Sequence, residues 1–101
     1  MEAAQTSMAV KVRFMGDLPS VTGHRVTSAV LPEGSNVGNL LESLSQKYGS
    51  GFAARIYSAP AKLQHTMLIF VDGENIKGHG GLAAPLGKEV EIIMLPVICG
   101  G

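Results

Sequence analysis

The fold turns on Leu31-Pro32-Glu33-Gly34-Ser35-Asn36-Val37-Gly38-Asn39-Leu40-Leu41-Glu42-Ser43-Leu44-Ser45-Gln46-Lys47-Tyr48-Gly49. Residues 31–35 carry turn chemistry, a proline and a glycine close together. After them Val37, Leu40, Leu41, Leu44 and Tyr48 fall at i, i+3, i+4, i+7 and i+11. Residues so spaced share one face of an α-helix, so the segment reads as an amphipathic helix with a single apolar stripe. Asn36, or Ser35 beside it, offers the short acceptor side chain of an N-cap. Gly49 sits where a C-terminal cap belongs.

On either side of this helix the period is two. Residues 8–15 place Val10, Val12 and Phe14 on one side and Lys11 and Arg13 on the other, the pattern of a half-buried strand. Residues 16–23 read as a turn. Residues 24–31 alternate again, with Val26, Ser28 and Val30 on one face, and pair with the first strand as an antiparallel hairpin. Beyond the helix, residues 50–65 form a long excursion anchored by Phe52, Ile56 and Leu63, with room for a short helix that Pro60 limits. Residues 66–71 read as a third strand, Asp72-Gly73 as a turn, and residues 74–77 as a short strand. Gly78-His79-Gly80-Gly81 reads as a tight turn, and residues 82–85 show no period. In the last strand, residues 89–95, Val90, Ile92 and Met94 alternate with Glu91, Ile93 and Leu95. The order predicts an α+β fold: a mixed sheet of four to five strands packed on one main helix, first and last strands adjacent in its middle. Residues 8–95 are expected to form the domain, 1–7 a disordered N-terminal tail and 96–101 a flexible C-terminal tail.

Composition narrows the function. A chain of 101 residues supports one domain. Lys+Arg and Asp+Glu number 8 each, and this neutrality argues against a nucleic-acid binder, which needs a basic excess. Cys99 is the single cysteine, so no intrachain disulfide can form and a reducing compartment is expected. The N-terminus lacks the charged start and apolar core of a signal peptide. No apolar stretch nears the length of about 20 residues that a membrane helix needs. A cytoplasmic protein with no membrane partner is therefore expected. There is no Gly-x-x-x-x-Gly-Lys-Ser/Thr phosphate loop, and no Ser-His-Asp or Cys-His spacing stands out. His24, His65 and His79 are scattered, so no metal site is expected.

The last strand runs into Pro96-Val97-Ile98-Cys99-Gly100-Gly101. Glycine has no Cβ and tolerates nearly any backbone angle. A tail ending in two of them can thread a narrow channel and present its carboxylate to another protein. Four stretches in order resemble the MoaD/ThiS family of ubiquitin-like β-grasp sulfur carriers, which includes the molybdopterin synthase small subunit. Val10-Lys11-Val12-Arg13-Phe14 opens like that family's first strand. Residues 31–41 resemble its Leu-Pro-Glu-Gly-x-x-Val-x-x-Leu-Leu lead into the helix. Phe70-Val71-Asp72-Gly73-Glu74 is similar to its Val-Asn-Gly-Glu strand and turn. Residues 90–101 resemble its Glu-Val-x-Ile-Leu-Pro-x-x-x-Gly-Gly ending. Residues 49–66 form a longer segment than in the compact molybdopterin and thiamine carriers. With residues 78–83 they look more like the sulfur carrier of a cysteine-biosynthesis route.

The resemblance implies a protein co-substrate and no enzyme. A C-terminal carboxylate has a pKa of about 3.5 and is a poor electrophile at neutral pH. In the family an E1-like adenylyltransferase of the MoeB or ThiF type uses ATP to make the acyl-adenylate of the last glycine. Persulfide sulfur from a rhodanese or cysteine desulfurase then displaces AMP and leaves a thiocarboxylate. An acceptor synthase of molybdopterin, cysteine/homocysteine or thiamine type takes the sulfur. Carried onto this chain, Gly101 bears the reacting carbonyl and Gly100 lets the tail extend. The carrier itself is expected to bind no cofactor, ATP being held by the activating enzyme.

If Val90, Ile92 and Met94 face the helix, Ile93 and Leu95 face outward, with Leu68 and Phe70 beside them. An exposed apolar patch of this kind marks a protein partner. With Pro96 and Ile98 these residues form the candidate partner-binding set. The competing reading is a second small core covered by residues 50–65. Cys99 reads either as a small apolar residue or as a thiol that exchanges sulfur with Gly101 or forms a mixed disulfide with a partner. A thiol of ordinary pKa, about 8.5, is little ionised at neutral pH. Two other functions fit the same pattern: a ubiquitin-like modifier joined through Gly101 to lysines, and a β-grasp binding module whose tail is never activated.

Overall fold

Met8, Val10, Val12 and Phe14 share one side of the first strand, and all four are buried. Their alternation with Ala9, Lys11 and Arg13 commits β1, Ser7–Phe14, to a sheet with one covered face. The computed structural model describes residues 7–60 and 62–97. β1 pairs antiparallel with β2, Val26–Pro32, and parallel with the last strand, β7, Glu91–Pro96. The last strand in turn pairs antiparallel with β5, Met67–Val71, and β5 with the two-residue β6, Glu74–Asn75. The five strands stand in the order β2-β1-β7-β5-β6, which puts the first and last strands side by side at the centre as expected.

The main helix, α2, spans Val37–Tyr48 and buries Val37, Leu40, Leu41 and Leu44 on the sheet. Asn36 is its N-cap. The Asn39 N–H donates to Asn36 Oδ1 at 2.8 Å, and the Asn36 N–H donates to Asn39 Oδ1 at 2.9 Å. This reciprocal pair is a capping box with Asn in the place of the usual Glu or Gln. Gly49, at φ 88°, ends the helix.

Several elements differ from the sequence reading. Residues 16–23 are more than a turn: Leu18–Thr22 forms a short helix, α1. Pro19 suits its first turn, Leu18 and Thr22 are buried, and Gly23 closes it at φ 81°. In β2 the shared face of Val26, Ser28 and Val30 is the outer one, with Val26 and Val30 42% and 67% exposed, and Ala29 and Leu31 enter the core. The excursion after α2 holds a second helix, α3, Ser50–Ile56, and an unanticipated two-stranded hairpin of β3, Tyr57–Ala59, and β4, Lys62–Leu63. The strand expected over residues 74–77 stops at Asn75, whose side chain accepts the Lys77 N–H at 2.9 Å and starts a 3-10 turn. The stretch without a period contains a 3-10 turn at Gly81–Ala83. The last strand begins two residues later than expected, after Glu89 at φ 60°, and runs one residue further, through Pro96.

One core serves all of this. Phe52 and Ile56 of α3 are fully buried in the same cluster as β1, α2 and β7, and Leu63 of the hairpin packs against it. The Phe14 ring meets Phe52 and Tyr48 edge-on, with centroids 5.9 Å apart in both pairs. Such contacts add to the area buried. Residues 50–63 therefore join the helix side of the sheet and do not form a second core on its outer side. Among the described residues no helix is long and apolar enough to cross a membrane.

Candidate functional site

The tail leaves from the middle of the sheet, where the backbone is held on two sides. At the end of β1 the Met15 N–H donates to the Met94 carbonyl at 2.9 Å. On the other flank Met67 is the register partner of Pro96, and the Val97 N–H donates to the Thr66 carbonyl at 2.8 Å. Neighbouring strands thus hold the chain through Val97, four residues before Gly101. Gly100 and Gly101, with Ile98 and Cys99, lie outside the described residues.

Beside this exit is a cleft of about 430 Å³ lined by Gly16, Asp17, Ala54, Arg55, Gln64, Thr66 and Pro96. Arg55 of α3 forms an ion pair with Asp17 across it. Arg55 thereby ties the excursion to the β1–α1 connection. Gly16, Asp17 and Thr66 were legible only as turn and strand-end residues. Nothing in their local pattern ties them to the tail, because the contact spans most of the chain.

The outer face of the sheet is built in rows by the strand register. Val26, Arg13, Ile93, Phe70 and Asn75 are successive partners across all five strands. Leu95 pairs with Leu68 in the next row toward the tail. Leu68, Phe70, Ile93 and Leu95 are therefore brought together, whereas Pro96, one residue out of phase and paired with the buried Met67, belongs to the cleft on the α3 side and not to this set. All four are partly exposed, whereas Ile92 and Met94, one residue out of phase, are fully buried. Polar groups flank the apolar rows. Arg13 Nη2 and Nε donate to Glu91 Oε2 at 3.0 and 3.3 Å, and the Glu91 N–H donates to Asp72 Oδ1 at 2.9 Å. An apolar centre with a charged border is the composition of a protein-docking surface.

The remaining glycine-rich segment is occupied structurally. Asp72 and Gly73, at φ 49° and 86°, make the tight turn between β5 and β6. His79 Nε2 lies 2.7 Å from Glu74 Oε1, bracing the 3-10 turns that follow.

This topology, one long helix across a mixed sheet with parallel central strands, is the ubiquitin-like β-grasp. The ThiS family pattern matches residues 12–101, and the chain belongs to that family. The chain is 31% identical over 85 residues to the sulfur carrier protein CysO of Mycobacterium tuberculosis, covering 82% of this chain and 87% of that protein. Among solved structures, the small archaeal modifier protein 1 of Methanosarcina acetivorans superposes with a TM-score of 0.81 at 26% identity, covering 95% of this chain and 99% of that one. The BexX/CysO complex of Amycolatopsis orientalis gives a TM-score of 0.77 at 25% identity, covering 91% of this chain and 99% of that one.

Proposed function

We propose that this protein is a sulfur carrier whose Gly101 carboxylate is the reacting group. The observation that carries the reading is the ThiS family match, which continues through both glycines to residue 101. The relative named as a sulfur carrier supports the same class. In the first step the Gly101 carboxylate attacks the α-phosphorus of ATP on an E1-like adenylyltransferase of MoeB or ThiF type, and pyrophosphate leaves. The terminal sulfur of a persulfide, from a rhodanese or cysteine desulfurase, then attacks the acyl carbon and expels AMP. A second thiol cleaves the resulting acyl disulfide and releases the Gly101 thiocarboxylate. That anion hands its sulfur to an acceptor synthase of molybdopterin, cysteine/homocysteine or thiamine type.

The chain's part in this chemistry is presentation. The outer face, Leu68, Phe70, Ile93 and Leu95, docks the activating enzyme, and Pro96 and Ile98 guide the tail to its active site. The BexX/CysO complex, in which a similar chain is seen with another protein, supports docking by the folded carrier. The carrier binds no cofactor of its own, catalyses no step and works in the cytoplasm. Cys99 acts as a small side chain, and Cys99→Ala leaves thiocarboxylate formation and transfer unchanged.

A second reading is favoured by the small archaeal modifier protein among the similar structures. In it a lysine amine replaces sulfur as the nucleophile at Gly101, and an amide results. Both readings require adenylation, so ATP–pyrophosphate exchange by a ThiF-type enzyme tests them together. Exchange should depend on this chain and disappear when Gly101 is deleted. Exchange that never occurs while a control carrier is activated leaves the non-activated binding module, and exchange that survives the deletion removes Gly101 as the reacting residue.

A further inference from the structure

Gly16 stands at φ +62°, directly after β1, where the chain turns toward α1. A Cβ built on it would lie 2.8 Å from Pro96 Cγ and 3.2 Å from Pro96 Cδ. The first distance is too short for any real contact. The proline ring cannot swing away as a flexible side chain would, because it is closed onto its own backbone nitrogen. A change of ring pucker moves Cγ by a fraction of an ångström but leaves Cδ tied to the backbone nitrogen, so full relief requires the Gly16 and Pro96 backbones to move apart. The Pro96 backbone is the last part of the tail held by the sheet, bracketed by the bond from the Met15 N–H to Met94 and the bond from the Val97 N–H to Thr66.

We propose that Gly16 is a positioning residue: it makes the seat for the Pro96 ring and so sets the direction in which the chain leaves toward Gly101. The left-handed backbone does not by itself explain a glycine here. Gly23 and Gly34, at φ +81° and +88°, have nothing within 4 Å of a built Cβ, so a side chain at either would meet backbone strain alone. Gly16 meets the strain and the ring together. The inference rests on the sulfur-carrier reading for its consequence and on geometry for the seat.

The experiment compares Gly16→Ala, Gly23→Ala, Pro96→Ala and the Gly16→Ala/Pro96→Ala double variant in the full chain. Two readouts are used: hydrogen exchange of the Val97 amide, and kcat and KM for adenylation of each carrier by a ThiF-type enzyme. Val97 exchange should rise about tenfold in Gly16→Ala and stay near wild type in Gly23→Ala. For adenylation, Gly16→Ala should lower kcat about 10- to 100-fold with KM nearly unchanged, since a displaced tail misplaces the carboxylate without altering the docking face. Removing the ring should restore kcat in the double variant toward that of Pro96→Ala. The proposal is overturned if Gly16→Ala behaves as Gly23→Ala does in both readouts. It is equally overturned if the double variant is no better than Gly16→Ala, or fails to fold while Gly23→Ala folds. If the wild-type chain is not adenylated at all, the sulfur-carrier reading fails. The Val97 exchange and its restoration on ring removal then still decide whether the seat exists.

Discussion

The two faces of the sheet are made by the same strands yet do different work. On the inner face Val12, Ile92 and Met94 are fully buried under α2 and α3. On the outer face Arg13, Ile93 and Leu95, their immediate neighbours in sequence, remain partly exposed. A displacement of one residue along β7 therefore separates the core from the face proposed for docking. The inner face supplies most of the apolar burial that opposes chain entropy, and the outer face leaves apolar surface for a partner. The same strand runs on to Val97, so the core, the face proposed for docking and the approach to the C-terminus share a single element.

The largest effect should come from Ile92→Asp. An unpaired carboxylate in the centre of the core should cost more than about 4 kcal/mol and abolish cooperative unfolding in a denaturant titration. A folded Ile92→Asp variant would break the distinction between the faces. Phe52→Ala should cost about 3–5 kcal/mol, because α3 belongs to the inner core and leaves a cavity when its anchor is cut back. A loss near zero would mean that the excursion rides on the surface. Ile93→Glu should change stability by only about 1 kcal/mol, since Arg13 is its register partner and the site is open to water. The same variant should still abolish adenylation, through KM in steady-state kinetics. Normal activation of that variant would sink the outer face as the docking surface.

The smallest effect concerns neither face. Lys88 and Glu33 form an ion pair at 2.8 Å on the rim, and the Glu33 hydrogen bond, with its charge, holds the Lys88 ammonium above the ordinary lysine value of 10.5. A raised pKa stabilises the fold below the unfolded value, and the contribution is lost as pH rises through the folded one. Wild type should therefore be slightly more stable than Lys88→Met at neutral pH, and the difference should fade above pH 10.5. A difference that persists unchanged through that range contradicts the pairing.

The sheet and its main helix were legible because their signals are local. The change from period two to the helical stripe of Val37, Leu40, Leu41 and Leu44 marks α2, and Asp72-Gly73 marks its hairpin. The two faces of β7 followed from alternation alone. The hairpin after α3 was not legible, because its strands are two or three residues long and Pro60 speaks only against a continuing helix. The side taken by residues 50–63 was also hidden. Phe52 and Ile56 announce burial, but their partners, Phe14 among them, lie far away in sequence. Alternation put Val26 and Val30 on one face of β2 without saying which, because an apolar β-branched residue suits a strand on either side. The apolar rows of the outer face were legible in the alternation along β7. The Gly16 seat was not, because its partner Pro96 lies near the other end of the chain.

The most direct measurement is the intact mass of the protein after incubation with ATP, a ThiF-type activating enzyme and a persulfide donor. The account predicts a gain equal to the exchange of one oxygen for one sulfur, localised by fragmentation to the peptide ending in Gly101 and absent when Gly101 is deleted. An unchanged mass, under conditions that convert a known carrier, would contradict it.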